Sequence, residues 1–293
     1  MDPYLQAATM GIIFGFLARI VMMRTDSRQY PSYPQGRTTN LSFGFIAAFI
    51  GAVAVPSFLE SDWAAVTFLG LASTQFREVR NMERETLQKI DEMELVPRGE
   101  PFIEGMAQAF ESRNYLVMFT AMVTTLVAIL FNHFWAIVIG VILLIMDKVK
   151  MSGKTLKRIA DFKEGELHFE GPDLFVDDIH LMNVGLEENK KIIKEKGIGI
   201  VVEPKNANSV VTLSYLGQRQ AMLHHASNIL GVYRDSGEPA LIPISKRHIE
   251  DGRVGLLLLP QEKDVKQAIL TLKEVPILDS AIRLPTEDKK TSK

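Results

Sequence analysis

The stretch YLVMFTAMVTTLVAILFNHFWAIVIGVILLIM, residues 115–146, contains no Lys, Arg, Asp or Glu. A helix needs roughly 20 mostly apolar residues to cross the hydrocarbon core of a membrane. The polar pair Asn132-His133 divides the stretch into one convincing apolar segment and a second, shorter one. This pattern predicts an integral membrane protein with a tight helical hairpin at this point.

Five segments in the first half of the chain approach the length and apolarity of a membrane span. They are Leu5–Met23, Leu41–Leu59, Asp62–Phe76, Tyr115–Asn132 and Phe134–Met146. The third and fifth are short, so they require snorkelling flanks or local thinning of the bilayer, and the third has a re-entrant alternative. The fold class predicted for residues 1–150 is therefore an α-helical transmembrane bundle of about five spans.

The second half of the chain has the composition of a soluble domain, rich in charged residues and alternating apolar positions. Residues 151–285 are predicted to form a cytoplasmic mixed α/β or α+β domain, since a region of this length can bury its own core. Residues 286–293 are polar and Lys-rich, which predicts a disordered tail. Within the first half, residues 77–114 are predicted to be a cytoplasmic helical linker.

The basic residues predict the orientation, because Lys and Arg are enriched in cytoplasmic loops. The segments that follow the first, third and fifth predicted spans are basic, whereas Glu60–Trp63 and Asn132–Trp135 contain no Lys or Arg. Trp63 and Trp135 fall at the outer boundary, where amphipathic rings are favoured. The sequence therefore predicts a multi-pass protein of the cell membrane with its N-terminus outside and its C-terminus in the cytoplasm.

Small and ionisable residues inside the spans bear on packing and transport. Gly and Ala recur in the second and third predicted spans, which indicates close helix contacts in lipid. Arg19 is the one ionisable residue within a span, and we expect it to snorkel to the inner surface. Carrier and pump cores usually hold buried acids or bases, so this pattern disfavours ion-coupled transport.

The soluble half shows alternating strand and helix signals. The predicted strands are Glu166–Glu170, Leu174–Ile179, Gly199–Glu203, Val210–Ser214, Ala240–Ile244 and Arg253–Leu259. The predicted helices are Leu186–Lys196, Leu216–Leu230 and Gln261–Val275. The run Val254–Leu259 is almost entirely apolar, which is typical of a central strand that is buried on both faces.

Motifs that carry chemistry are scarce. The chain has no cysteine, which excludes disulfides, thiol nucleophiles and Cys-ligated zinc. Asp177, Asp178 and His180 could ligate a metal by type, but an exposed acidic turn is the commoner interpretation. Arg219, between Gln218 and Gln220, is a candidate contact for a partner or for an anion or nucleotide. The net charge of −2 gives no signal for nucleic-acid binding. We predict neither a metal, nor a cofactor, nor an enzymatic activity.

The predicted linker contains an amphipathic charged helix, a break at Pro97–Pro101, and a second helix that enters the fourth span. Residues Phe102–Ala107 read Phe-Ile-Glu-Gly-Met-Ala. This stretch resembles the Tyr-Ile-Glu-Gly-Ile-Ala signature of the YIEGIA family, from which it departs at Phe102 and Met106. Further stretches resemble the same family: Gln75–Arg84, Glu94–Gly99, Phe110–Tyr115, Leu216–Ala221 and Gly237–Pro243.

The resemblance implies a membrane protein of endospore-forming Firmicutes, in the cell membrane or the spore inner membrane, with no assigned activity. It also implies a small, separate capping-subunit protein as a candidate partner. The lipid bilayer and a second copy of the chain are the other candidate partners. Around the signature, Glu104, Glu111, Arg113 and Asn114 are predicted to form a polar cluster for a partner or interdomain contact. The alternative is a helix whose charges pair with the basic linker.

Three function hypotheses follow from the sequence. The first is a membrane-embedded scaffold or regulator whose cytoplasmic domain binds a protein partner, with a role in sporulation implied only by the resemblance. The second is a channel or transport component gated by that domain. The third is a small-ligand sensor or membrane-linked enzyme.

Overall fold

The chain divides into two compact units. The computed structural model describes residues 2–26, 34–150, 154–234 and 241–282, so the predicted tail at 286–293 lies outside the described residues. The helical unit comprises residues 1–85 and 106–153, and the C-terminal unit comprises residues 86–105 and 154–293.

Five helices account for the first half of the chain: α1 (Pro3–Asp26), α2 (Pro34–Leu59), α3 (Trp63–Asp91), α4 (Glu100–Leu130) and α5 (His133–Lys150). Of the described residues, three segments are long and apolar enough to cross a membrane, namely Pro3–Met23, Gly36–Leu59 and Glu100–Leu130. Length and composition therefore support three spans and do not support the predicted count of about five. Helix α3 becomes densely charged after Phe76, and α5 has only 18 residues.

Helices α3 and α4 carry the predicted linker. Helix α3 runs without interruption to Asp91, and α4 begins at Glu100 and continues through the apolar segment to Leu130. The prediction of one charged helix that extends the third apolar segment, and of a second that enters the fourth, is thus confirmed. Each helix contributes one end to the C-terminal unit, which begins at Thr86 and includes α4 as far as Gly105.

Glycines allow helices α1, α2 and α4 to approach closely in the helical unit. A Cβ on Gly15 would lie 2.9 Å from the Cβ atoms of Ala48 and Ala121, and one on Gly51 would lie 2.2 Å from the carbonyl oxygen of Met118. Ala48 and Ala121 are themselves fully buried. Backbones in such contact gain dispersion energy that larger side chains would prevent. The three candidate spans therefore pack as one bundle through small residues.

The third apolar segment does not use its glycine in this way. The structure places no described atom within 4 Å of a Cβ built on Gly70, so the expectation of close packing at that position is wrong. The exposed side chains Phe68 and Leu71 lie beside it. In contrast, Ala47, Ala48 and Ala52 of α2 are fully buried.

Arg19 is buried in the helical unit, so the expectation that it snorkels is wrong. Its side chain is 1% exposed, and its guanidinium group donates to the backbone carbonyl and the side-chain oxygen of Asn40. The guanidinium carbon also lies 5.7 Å from the ring centre of Phe110. Gly44 makes room for the aliphatic stem, since a Cβ there would lie 2.4 Å from the Arg19 Cγ atom. The bundle thus provides its own acceptors for this charge.

Two antiparallel sheets form the centre of the C-terminal unit. The four-stranded sheet has the order β1-β5-β7-β6, and the three-stranded sheet has the order β2-β3-β4. The strands are β1 (Ala160–Gly165), β2 (Leu167–Glu170), β3 (Asp173–Val176), β4 (Ile179–Asn183), β5 (Ile198–Pro204), β6 (Ile244–Arg247) and β7 (Val254–Leu258). The helices are α6 (Glu187–Lys196), α7 (Ala207–Ser214), α8 (Leu216–Leu230) and α9 (Val265–Glu274). The antiparallel pairing makes this an α+β arrangement.

The central strands β5 and β7 are buried on both faces, as predicted for residues 254–259. On one face, Val254, Leu256 and Leu258 pack with Met222 of α8 and Leu272 of α9. On the other face, Leu257 packs with β3, β4 and α6. Side chains alternate between the faces of a strand, so each strand contributes to both cores. The unit therefore has three layers: helices, the four-stranded sheet and the three-stranded sheet.

Some predicted strands are wrong. Residues 210–214 belong to helix α7, because the Asn206 side chain accepts a hydrogen bond from the Ser209 backbone N–H and caps the helix. The predicted strand Leu174–Ile179 is broken by a turn at Asp177, whose φ is +49°. Strand β1 was not predicted. The predicted strand at 240–244 begins outside the described residues, and β6 starts only at Ile244.

Two glycine substitutions test the packing of the helical unit. Gly51→Ala should destabilise the protein by about 1–3 kcal/mol, because the new methyl group would overlap a backbone carbonyl that cannot move away alone. Gly70→Ala, the matched control, should leave stability unchanged or raise it, because alanine favours helix. Thermal unfolding of the full chain in detergent measures both. Equal midpoints for the two variants would contradict the packing described here.

Candidate functional site

The candidate site is the connection between α3 and α4, which we call the hairpin tip and define as residues 86–105. The Asp91 carboxylate accepts hydrogen bonds from the backbone N–H groups of Arg98 (2.6 Å) and Gly99 (3.0 Å). The Arg98 guanidinium pairs with Asp91 (3.6 Å) and with Glu94 (3.3 Å). Gly99 has a φ of +81°, which favours glycine. The tip is therefore closed on itself by one buried carboxylate.

His224 of α8 binds the tip through a backbone carbonyl. Its Nδ1 atom lies 2.8 Å from the Val96 carbonyl oxygen, and its Nε2 atom lies 2.9 Å from the Asn228 amide nitrogen. These partners assign a neutral ring that donates from Nδ1 and accepts at Nε2. Burial lowers the pKa of His224, the Val96 carbonyl opposes this, and the nearby Arg98 lowers it further. The imidazole is thus a neutral structural link.

The start of α8 makes a second contact with the tip. The Tyr215 hydroxyl donates to the Pro101 carbonyl oxygen at 2.7 Å. A Cβ on Gly217 would lie 2.9 Å from that same oxygen, and one on Gly99 would lie 2.2 Å from the Gln220 amide nitrogen. Gly217 is therefore needed for the close approach of the two backbones, whereas Gly99 leaves room for the Gln220 side chain. The Pro101 carbonyl oxygen is thus the acceptor through which Tyr215 binds the start of α4.

The first turn of α4 is buried in the C-terminal unit. Phe102 and Ile103 are almost fully buried, and the Phe102 ring meets the His224 ring edge-on at 6.5 Å between centres. A Cβ on Gly105 would lie 2.4 Å from the Ser280 hydroxyl oxygen. These are three of the positions in the Phe-Ile-Glu-Gly-Met-Ala stretch. Each is explained by packing within this unit.

The five predicted site residues are divided between the two units. Glu104 and Arg219 belong to the C-terminal unit, whereas Glu111, Arg113 and Asn114 belong to the helical unit. Glu111 forms an ion pair with Arg80 at 3.0 Å, which is the pairing with the basic linker that the sequence left open. Arg113 and Asn114 are buried. Neither amide atom of Asn114 has a hydrogen-bond partner in the described part of the chain. Their role in a contact stays a prediction.

The acidic turn near β4 is occupied by structural contacts. The Arg253 guanidinium donates two hydrogen bonds to Asp178, at 2.9 and 2.6 Å, and lowers the pKa of that carboxyl. The Asp177 carboxylate accepts from the backbone N–H of Glu166 at 2.7 Å. His180 lies 3.4 Å from an oxygen of Asp173. Across the residues that the structure describes, no group of three or more His, Asp or Glu side chains could hold a metal ion.

Sequence reasoning missed the two side chains that bind the tip. Tyr215 and His224 contact backbone carbonyls 114 and 128 residues away in the chain. Every residue has a backbone carbonyl, so the sequence does not indicate which one accepts from Tyr215 or His224. The available signal was indirect: Pro97, Gly99 and Pro101 mark a turn between two helices, and His224 lies on the buried side of a helix.

Acidification should loosen the hairpin tip. The pKa of His224 is lowered from about 6.5, so its neutral form stabilises docking fully above that value and this stabilisation is lost as pH falls. Hydrogen exchange of residues 92–99, corrected for intrinsic rates, should show lower protection at about pH 5.5 than at about pH 7.5. His224→Gln should remove this difference, because an amide can donate to Val96 but cannot be protonated.

His225→Gln is the control for this experiment. His225 is half-buried, and burial followed by the neighbouring His224 lowers its pKa as well. However, its side chain forms no hydrogen bond with a tip residue among the residues that the structure describes. Its substitution should leave the pH dependence of tip protection intact. If the pH dependence survives His224→Gln but disappears in His225→Gln, then His225 causes it and the prediction for His224 is wrong.

Comparison with known proteins places this chain among its relatives. It is 49% identical over 288 residues, covering 98% of this chain and 97% of the relative, to the uncharacterized protein YphB of Bacillus subtilis (strain 168). No solved structure matches the chain. The family described as YIEGIA protein matches residues 7–288, which include both units and the hairpin tip. The chain belongs to the YIEGIA family.

Proposed function

We propose that the protein is a membrane-embedded scaffold or regulator whose C-terminal unit binds a protein partner. The observation that carries the proposal is the continuity of α4. Its first turn is buried in the C-terminal unit beside His224, and the same helix continues through a candidate membrane span to Leu130. The ends of both α3 and α4 belong to the C-terminal unit, so both helices would hold this unit at the membrane. The proposed setting in sporulation has its support in the family resemblance alone.

The proposal includes a topology in which α4 and α5 cross the membrane as a pair. Residues 86–105 and 154–282 form one compact unit, so both must lie on the same side of the membrane. The candidate span in α4 lies between them. The chain therefore has to return before residue 154, and α5 is the helix available for this. Its 18 residues extend about 27 Å, close to the roughly 30 Å of a hydrocarbon core.

The side of the membrane follows from charge. If α3 did not cross, the basic residues 24–37 and the basic residues 77–113 would lie on opposite sides. A crossing by the apolar part of α3 places both on the cytoplasmic side, in agreement with the positive-inside rule. We therefore propose five crossings, with the N-terminus outside and the C-terminal unit in the cytoplasm.

Cysteine labelling tests this topology directly, because the natural chain has no cysteine that must first be removed. The exposed residues Glu60 and His133, each replaced by Cys, should react with a membrane-impermeant maleimide in intact cells. Met93→Cys in the tip and Asn208→Cys in α7 should react only after the cells are opened. Labelling of Met93→Cys and Asn208→Cys from opposite sides would refute the paired crossing.

The helical layer of the C-terminal unit is the surface that we propose for the partner. The neighbouring helices α8 and α9 expose the large apolar side chains Leu216, Ile229 and Leu270 by 45%, 52% and 57%. Leu216 directly follows Tyr215, which binds the hairpin tip. A protein bound here would contact the same helix that holds α4. Helix α8 would then contact both the bound partner and the start of α4.

Photocrosslinking in native membranes tests partner binding. A benzophenone side chain at Leu216 or Leu270 should crosslink the full chain to one protein in a saturable manner. Leu186, an equally apolar and exposed residue before α6, is the matched control, since α6 packs in the other core layer. Crosslinks of equal yield and pattern at Leu186 and Leu216, or none at either helix, would exclude this surface as the partner site.

A further inference from the structure

Two arginines of the C-terminal unit lie close together, and no carboxylate of the described residues pairs with them. Arg219 is on α8, and Arg247 is the last residue of the edge strand β6, against which α8 packs. Neither guanidinium group forms a hydrogen bond or an ion pair with another residue that the structure describes. The Nε atom of Arg219 is shielded from solvent and likewise has no acceptor. Buried donors without an acceptor are uncommon, so this one calls for a ligand or another compensation.

Three other arginines that are buried or half-buried have acidic partners. Arg80 pairs with Glu111, Arg98 with Asp91 and Glu94, and Arg253 with Asp178 and Asp251. At the arginine pair, by contrast, the neighbouring charge is another cation. Burial lowers the pKa of Arg219, and repulsion from Arg247 lowers it further. Two neighbouring cations are thus held together with no counter-charge from the described residues, and an anion would relieve their repulsion.

The residue types define the class of anion. A guanidinium group presents a planar fork of N–H donors that fits phosphate or carboxylate oxygens in a bidentate manner. Two such groups supply two positive charges, which match a phosphate dianion better than a single carboxylate. A phosphate group can also accept from several directions at once, as two arginines on different elements require.

We infer that Arg219 and Arg247 bind a phosphate group, carried either by a soluble phosphate compound or by a lipid headgroup. This site would make the C-terminal unit responsive to a small ligand, which goes beyond the proposed binding of a protein partner. The two proposals fail independently, because the crosslinking positions Leu216 and Leu270 are not part of the arginine pair. A protein carboxylate that neutralises the pair is the competing occupant, and the experiment below distinguishes it.

The test uses the full chain in a neutral, phosphate-free detergent and in nanodiscs. Inorganic phosphate, added at constant ionic strength, should raise the thermal midpoint in a saturable manner if the source is soluble. Nanodiscs with phosphatidic acid in phosphatidylcholine should raise it relative to phosphatidylcholine alone if the source is a lipid. Arg219→Gln and Arg247→Gln should each weaken the effect at least tenfold. Arg158→Gln, at an exposed position, is the matched control and should not change it.

A second measurement separates binding from folding. Without phosphate, Arg247→Gln should unfold at the same or a higher temperature than the natural chain, because it removes the repulsion acting on Arg219. A protein that shows no saturable stabilisation in either arm overturns the inference. So does stabilisation that Arg219→Gln and Arg247→Gln leave intact. Stabilisation by acetate equal to that by phosphate would assign the pair to a carboxylate instead.

Discussion

The C-terminal unit is assembled from two stretches of chain that are separated by a candidate membrane span. The stretch 86–105 supplies the hairpin tip, and residues 154–282 supply the sheets and the helical layer. Their union depends on a few buried hydrogen bonds to backbone carbonyls, at Val96 and Pro101. A buried carbonyl that loses its donor costs about 1–3 kcal/mol, so these bonds favour one register of the tip over any shifted one. Together with the buried Phe102 and Ile103, they hold the start of α4 in the C-terminal unit.

The helices of the helical unit must associate without the hydrophobic effect, because lipid tails are as apolar as their side chains. Helices in lipid associate through dispersion and polar contacts, so small residues at the interface matter more than large apolar ones. Gly15 and Gly51 serve this role between α1, α2 and α4, and Arg19 with Asn40 adds a polar contact inside the bundle. Helix α3 lacks such contacts at Gly70. The end of its charged continuation, from Thr86 to Asp91, instead belongs to the hairpin tip.

Much of this architecture could be predicted from periodicity and composition, but the site could not. Helix α8 and strand β7 follow from apolar patterns that are local in sequence. Residues 210–214 misled the prediction because their β-branched composition favours a strand, whereas the Asn206 cap and the packing of α7 decide for helix. Arg19 misled it because snorkelling is the usual solution for a lone charge, and its acceptor Asn40 lies 21 residues away. The contacts of Tyr215 and His224 with the hairpin tip join residues that are still farther apart in the chain. Their acceptors are backbone carbonyls, which no residue type indicates.

The family signature acquires a physical meaning from the same contacts. Phe102 stands where the family name has Tyr, and its buried ring packs against His224. A hydroxyl is therefore not required at this position for the packing seen here. Gly105 is needed for a different reason, since any side chain would meet Ser280. At Phe102, Ile103 and Gly105, the signature thus describes how the first turn of α4 fits into the C-terminal unit.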